Sequence, residues 1–198
     1  PTTSAFMIAA RLEDPAGRWP EYRWVPYEAI SAQLALAVIA GEDQRFAGHH
    51  GFDTIEIERA LDAAGRGERL RGASTISQQV AKNLYLWPGR SYARKALEAW
   101  FTVLIELCWS KRRILEMHLN LAQYGERTWG AEAAARRFYG KPAWDLDAGE
   151  AARLAAVLPN PVLYRVEAPN ATVRARERHI REQMRNLGGT GFLDRLTE

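Results

Sequence analysis

Two carboxylates and a knot of cations are the residues here whose types and spacing could do chemistry. Glu42 and Asp43 follow an almost wholly apolar segment, in which only Ser31 and Gln33 are polar between Ala29 and Ala40. A helix apolar on every side belongs inside a fold, and Gly41 reads as its stop. A Glu delivered by such a helix sits against low-dielectric walls, which raise its pKa toward the range a proton acceptor needs. The cations are Lys82, Arg90, Arg94 and Lys95. Arg94 and Lys95 fall in the first turn of a helix that Ser91 can cap, where the macrodipole disfavours cations by roughly some tenths of a kcal/mol. A bound anion offsets that field, and helix N-termini are themselves anion sites.

Glu98 lies one turn beyond Arg94, and positions 94, 98, 102 and 106 form a polar stripe on an otherwise apolar helix. If the stripe is exposed, it amounts to an Arg–Glu pair of roughly a few tenths of a kcal/mol. If it lines a cleft, Glu98 stands beside the anion and needs shielding by nearby arginines or by a divalent cation. In the metal form, magnesium or manganese is held by Glu98 or Asp43.

The elements that must position these groups are helical. The texture is rich in Ala and Leu with few β-branched runs, which predicts a mainly α protein. Helices are predicted over 28–41, over 53–64 with Asp53 and Glu56 at capping spacing, and over 75–85 with Thr75 and Gln78 likewise. Further helices are expected from Ser91 to Trp109, from Ser110 to Leu119, over 131–138, from Asp147 to Leu158, and over 171–187. Residues 1–27 carry Pro15, Gly17, Pro20 and Pro26, which break any long element. The last helix carries an apolar stripe of Val173, Ile180, Met184 and Leu187, with Arg174, Arg178, Arg181 and Arg185 beside it.

Composition bounds the classes. The chain has 198 residues, 47% apolar and 26% charged, which is enough for one globular domain with a real core. Its net charge is +3, and Lys occurs only at 82, 95, 111 and 141, so Arg dominates. Arg forks suit phosphates and carboxylates, but no reading motif accompanies the basic helix, and nucleic acid is not the expected partner. Cys108, the one cysteine, excludes an internal disulfide and reads as a small core side chain. His49 and His50 lack the helical spacing of a ligand pair and read as structural. No run of about 18 apolar residues is present. The start at Pro1 reads as that of an excised fragment, with any membrane anchor upstream.

Five motifs in order carry a resemblance. They are Glu42-Asp43-x-x-Phe46-x-x-His49-x-Gly51-x-Asp53; Gly72-x-Ser74-Thr75-Ile76-x-Gln78-Gln79-x-x-Lys82-Asn83; and Arg94-Lys95-x-x-Glu98; followed by Ile114-Leu115-Glu116-x-x-Leu119-Asn120 and Glu150-Ala151-Ala152-x-Leu154-Ala155-Ala156 ending at Pro161. Together, over roughly residues 22–161, they resemble the peptidoglycan glycosyltransferases, glycosyltransferase family fifty-one, and among them the monofunctional transglycosylases. Arg127 departs from the pattern, standing where the family carries a second glycine.

The resemblance implies a lysozyme-like helical head (about 1–52 and 94–198) and a smaller membrane-proximal jaw (about 53–93). It implies polymerisation of lipid II into glycan strands by a single inverting displacement, at the bacterial inner membrane with the catalytic domain in the periplasm. It also implies partners among the cell-wall synthesis proteins. By motif, Glu42 resembles the base for the acceptor 4-hydroxyl, and Glu98 the second carboxylate on the pyrophosphate side. Lys82 and Arg90 match positions that hold the donor pyrophosphate. Ser74, Gln78, Gln79, Asn83, Arg94 and Lys95 match the surrounding site. Pyrophosphate leaves as a stabilised anion and needs cations more than an acid. A lytic muramidase, the rival enzyme class, needs an acid and a base or nucleophile instead, and would leave the cations without a role on an uncharged glycan.

Overall fold

The computed structural model describes residues 1–66, 74–89 and 91–196. Residues 67–73, Arg90 and residues 197–198 lie outside them.

The chain is mainly helical and its centre is α2, Ala32–Glu42, whose residues Leu34 to Ala40 are all buried. Side chains with no polar atoms on any face leave this helix no stable place but the interior. Its start is four residues later than expected. Tyr27–Ala29 form a separate 3₁₀ turn, and Ser31 caps α2 by accepting from the Gln33 N–H while donating to the Leu146 carbonyl at 2.7 Å. The cap wins over the apolar run because it satisfies orphan N–H groups at the helix start.

Two further helices enclose α2: α8 (Ala148–Val157) and α9 (Ala171–Asn186). The first opens with the capping box of Asp147 and Glu150. The second buries Val173, Ile180 and Met184 and leaves Arg174, Arg178, Arg181 and Arg185 exposed. Gly41 does not stop α2. It lies inside the helix without a positive φ, and a Cβ there would meet the Ile180 side chain at 3.0 Å. Its role is to let α9 come close.

A second group of helices is α4 (Ile76–Tyr85), α5 (Tyr92–Cys108) and α6 (Lys111–Leu121), with α4 packed on both others. Tyr85 of α4 stacks on Phe101 of α5 at 4.6 Å. Residues 1–27 hold one helix that the prolines left unsuspected, α1 (Ala5–Glu13), which lies against α4. The remaining α-helices among the described residues are α3 (Thr54–Gly65) and α7 (Ala131–Tyr139).

A small sheet, β1 (Glu21–Tyr22), β2 (Gln123–Gly125) and β3 (Thr128–Trp129), has the order β1-β3-β2, with β1 parallel and β2 antiparallel to β3. It ties the N-terminal arm to the body. Arg127, between β2 and β3, pairs with Asp14 and donates to the Trp19 carbonyl at 2.9 Å. Motif residues Glu116 and Asn120 serve the same arm: Glu116 accepts from the Tyr27 N–H, and Asn120 pairs with both backbone groups of Val25.

The faces of α5 are inverted relative to an ordinary surface helix. Arg94, Glu98 and Thr102 are buried, while Leu97, Trp100, Val103, Leu104 and Leu107 are exposed, Trp100 by 60% and Leu107 by 77%. Cys108 is exposed too, contrary to its expected place in the core, because it shares this outward side of the helix.

Where the loop after α2 meets α5 and the start of α4, Gly51 has φ +87° and its carbonyl accepts from the Thr75 hydroxyl at 2.6 Å. A Cβ at Gly51 would stand 2.8 Å from the Thr102 methyl. Gly51→Ala therefore combines a left-handed backbone with a clash. Its expected cost is more than about 1 kcal/mol, read as a fall of about 2–4 °C per kcal/mol in the thermal midpoint. An unchanged midpoint would show that Thr102 yields freely.

Candidate active site

Glu42 is the last residue of α2 and Asp43 its C-cap. The Asp43 carboxylate is a buried staple. It accepts the His49 Nε2–H at 2.9 Å, and its Oδ2 accepts the Ile76 N–H, the first of α4, at 3.0 Å. An acid at a helix N-terminus satisfies an orphan donor and faces the positive end of the dipole. His49 is thus structural, as its spacing predicted, whereas His50 is exposed. This staple sets the α4 side chains in front of Glu42.

Three groups meet the Glu42 carboxylate. Gln79 donates its amide to Oε2 at 2.9 Å, and the Arg176 guanidinium lies 3.4 Å from Oε1. Lys82 acts on it through space. Burial pushes the Glu42 pKa up, opposed by the Gln79 hydrogen bond, then by Arg176 and Lys82, while Asp43 adds to the rise. The carboxyl opens on a cavity of about 310 Å³ lined by Gly41, Glu42, Arg45, Arg59, Ser74 and Thr75 among others.

The cationic side is built on α4 and α5. Glu98 is buried and holds Arg94 at 3.2 Å and Lys95 at 2.5 Å, one on each oxygen. Thr102 donates to the Glu98 carbonyl at 2.7 Å. Lys82, half-buried, lies under the influence of both carboxylates, Glu98 more than Glu42. Burial lowers its pKa, Glu98 opposes this, and Arg94 and Lys95 lower it further. The ammonium also lies 5.7 Å from the Phe6 ring of α1. Four charged side chains thus share one patch, with Arg94 and Glu98 buried, Lys82 half-buried and Lys95 exposed at its edge, and the buried Arg94 Nε has no partner among the described residues.

The remaining sequence candidates scatter. Ser74 is exposed on the rim of the cavity, and Asn83 is half-buried on α4. Gln78 is turned inward, its Oε1 accepting the Thr75 N–H at 3.0 Å in the capping box of α4. Arg90 lies outside the described residues.

Glu98 and Asp43 do not fit a divalent cation as they stand. The oxygens of Glu98 face cations, and those of Asp43 are held by His49 and Ile76. Asp43, His49 and Asp53 do lie within 4.8 Å of one another. There Asp53 Oδ1 caps α3 through Ile55 and Glu56 and pairs with Arg45 at 3.5 Å, so the cluster joins loop to helix.

Two residues at the site were missed by sequence reasoning. Arg176 reaches Glu42 from α9, its Nε anchored on the Ala156 carbonyl at 3.2 Å. Its signal was present: among the arginines of that helix it alone falls in register with Val173, Ile180 and Met184. His118, buried on α6, bonds Gln79 from behind at 2.9 Å. Its position one turn beyond Ile114 marks it as inward-facing, but nothing in its neighbours marks it as part of the site.

Comparisons with known proteins show the family. The family profile described as "Transglycosylase" matches residues 9–185. The biosynthetic peptidoglycan transglycosylase of Xanthomonas oryzae pv. oryzae is 53% identical over 197 residues, covering 98% of this chain and 80% of that protein. The protein of the same name from Xylella fastidiosa is 49% identical over 198 residues, covering 98% and 82%. With matches this long and this close, the chain belongs to the transglycosylase family, the peptidoglycan glycosyltransferases that its five ordered motifs resemble.

Proposed function

We propose that this peptidoglycan transglycosylase polymerises lipid II, with Glu42 as general base. The observation that carries this is the pairing of a desolvated carboxylate with a cationic patch on the neighbouring helices, linked by Lys82. Glu42 takes the proton of the acceptor 4-hydroxyl, whose oxygen forms the new bond to the donor's anomeric carbon. The bond from that carbon to the pyrophosphate oxygen breaks on the opposite face, inverting the centre. The electron pair leaves with undecaprenyl pyrophosphate, which Lys82, Arg94 and Lys95 receive. Arg90 joins them by motif alone. Such preorganised cations stabilise charge where it develops and need no general acid. Glu98 orders Arg94 and Lys95 and limits their repulsion of Lys82. The shielding is by cations, not by a metal.

The exposed apolar side of α5 suits a membrane surface. No helix among the described residues is long and apolar enough to cross a membrane. Trp87, Tyr92 and Trp100 supply aromatics of the kind found at the interface, and Leu97, Val103 and Leu107 add exposed apolar side chains. A lobe spanning about 53–93, extended by this side of α5, would meet the lipid-borne substrate at the bilayer. On this reading the enzyme works at the outer face of the inner membrane, among the cell-wall synthesis proteins.

Glu42→Gln is expected to abolish polymer formation from lipid II. It should also raise the thermal midpoint by about 2–4 °C per kcal/mol regained. The sign follows from burial. The folded state holds the Glu42 proton more tightly than the unfolded chain does, so stability falls as pH rises from the ordinary carboxylate range through the folded pKa. An uncharged amide removes that loss. Near-normal turnover would end the base assignment, and glycan cleavage without polymer would favour a muramidase.

Lys82→Ala should weaken binding of a pyrophosphate-bearing lipid analogue at least tenfold, a loss of about 1.4 kcal/mol, and unchanged binding would remove the anion site. Trp100→Ser with Leu107→Ser should reduce partition onto anionic vesicles while leaving the fold intact by circular dichroism. Equal partition would place the membrane surface elsewhere.

A further inference from the structure

Behind Gln79, on the side away from Glu42, lies a histidine for which the proposed chemistry has no use. We propose that His118 is a positioning residue, whose Nε2–H holds the Gln79 carboxamide in the one orientation that offers an N–H to Glu42. The inference rests on Glu42 acting as the base.

The geometry is a chain of three side chains from three helices. Gln79 Nε2 is 2.9 Å from Glu42 Oε2, and Gln79 Oε1 is 2.9 Å from His118 Nε2. Carboxamide oxygen and nitrogen are told apart by their partners, and here the partners decide. An ionised carboxylate can only accept, so the amide group of Gln79 faces Glu42 and its carbonyl faces the imidazole. The imidazole must then donate, which fixes the neutral ring as the Nε2–H tautomer. Its Nδ1 is buried without a partner among the described residues, so no acceptor there competes for the proton. Burial and the charge of Lys82 bring the His118 pKa down to about 4, which keeps the ring neutral at ordinary pH.

Turning the Gln79 amide over would set its oxygen against the Glu42 carboxylate and its N–H groups against the ring N–H. Both contacts are repulsive, so the chain has one satisfied arrangement while Glu42 is ionised and His118 keeps its proton on Nε2. Once Glu42 takes up a proton, its hydroxyl can donate to a turned Gln79 carbonyl, and the imidazole can accept from the amide with its own proton on Nδ1. His118 thereby biases Gln79 toward the state in which the base is ready.

The charged and titratable groups around the chain come from every element packed on it. They are Asp43 on α2, Lys82 on α4, Tyr124 on β2 and Arg176 on α9, with Glu98, Arg94 and Lys95 acting from α5 through Lys82. None of them bonds the Gln79 carbonyl, so their effect on Glu42 persists when His118 is changed.

Two variants separate the hydrogen bond from the volume. The amide nitrogen of a glutamine can occupy the place of Nε2, whereas leucine fills similar space without a donor. His118→Leu is expected to move the acid limb of kcat/KM for lipid II upward by about one pH unit. Turnover below that limb should fall about tenfold, with affinity for a pyrophosphate-bearing analogue unchanged. His118→Gln should restore the wild-type limb.

Nitrogen-15 histidine spectra of the unaltered protein at neutral pH should show the Nε2–H tautomer at His118, a measurement that stands even if the leucine variant fails to fold. A wild-type limb in His118→Leu, or an Nδ1–H or doubly protonated ring, overturns the proposal. Glu42→Gln, assayed in parallel, tells the two failures apart. Retained turnover there sinks the base, while an inactive Glu42→Gln beside an unshifted His118→Leu sinks only the positioning role.

Discussion

The contact on which the site depends is the Asp43 carboxylate lying across the end of α2 and the start of α4. One group closes a helix that the core holds rigidly and opens another that carries Gln79 and Lys82. The bond is worth more than an ordinary one because the acceptor is charged, buried and aimed at a helix N-terminus. With α2 fixed by its apolar sides and α4 fixed by this staple, Glu42 and its neighbours have little freedom left. Rigid helices hold a site more closely than loops do.

A tension follows between order and charge. The core that immobilises α2 also strips water from Glu42, and the same burial acts on Lys82 with the opposite sign. Each of the two groups partly relieves the other across the site. Glu98 then compensates the remaining cations, leaving a patch whose net positive charge is small enough to fold and large enough to attract an anion. That balance explains why α5 turns Arg94 and Glu98 inward, against the habit of a surface helix, and leaves its apolar side to whatever covers it.

Much of this was legible in the sequence. The buried character of α2, the caps at Thr75, Ser91, Ser110 and Asp147, and the split stripes of α9 all follow from periodicity and hydrogen-bonding residues, and all are present. The spacing of Arg94, Lys95 and Glu98 on one helix likewise brings them together. Other features turned on tertiary contact, which spacing does not encode. Gly41 was indistinguishable from a helix stop until Ile180 was seen against it. Cys108 sits in an apolar run, but that run faces outward. Arg176 reaches Glu42 from 134 residues away and His118 reaches Gln79 from 39, and although register turns both inward, nothing near them in sequence names those partners.

The guanidinium beside Glu42 comes from α9, far downstream of α2 and α4, and is hung from the Ala156 carbonyl of α8. During synthesis, α2 and α4 emerge long before it, since chains grow and fold from the N-terminus. A nascent chain still waiting for that helix leaves Glu42 exposed to water and without its ion pair. Competence of the carboxylate is thereby tied to synthesis of α9, so that a copy made only as far as α8 holds its motifs and yet lacks the environment that turns them into a site.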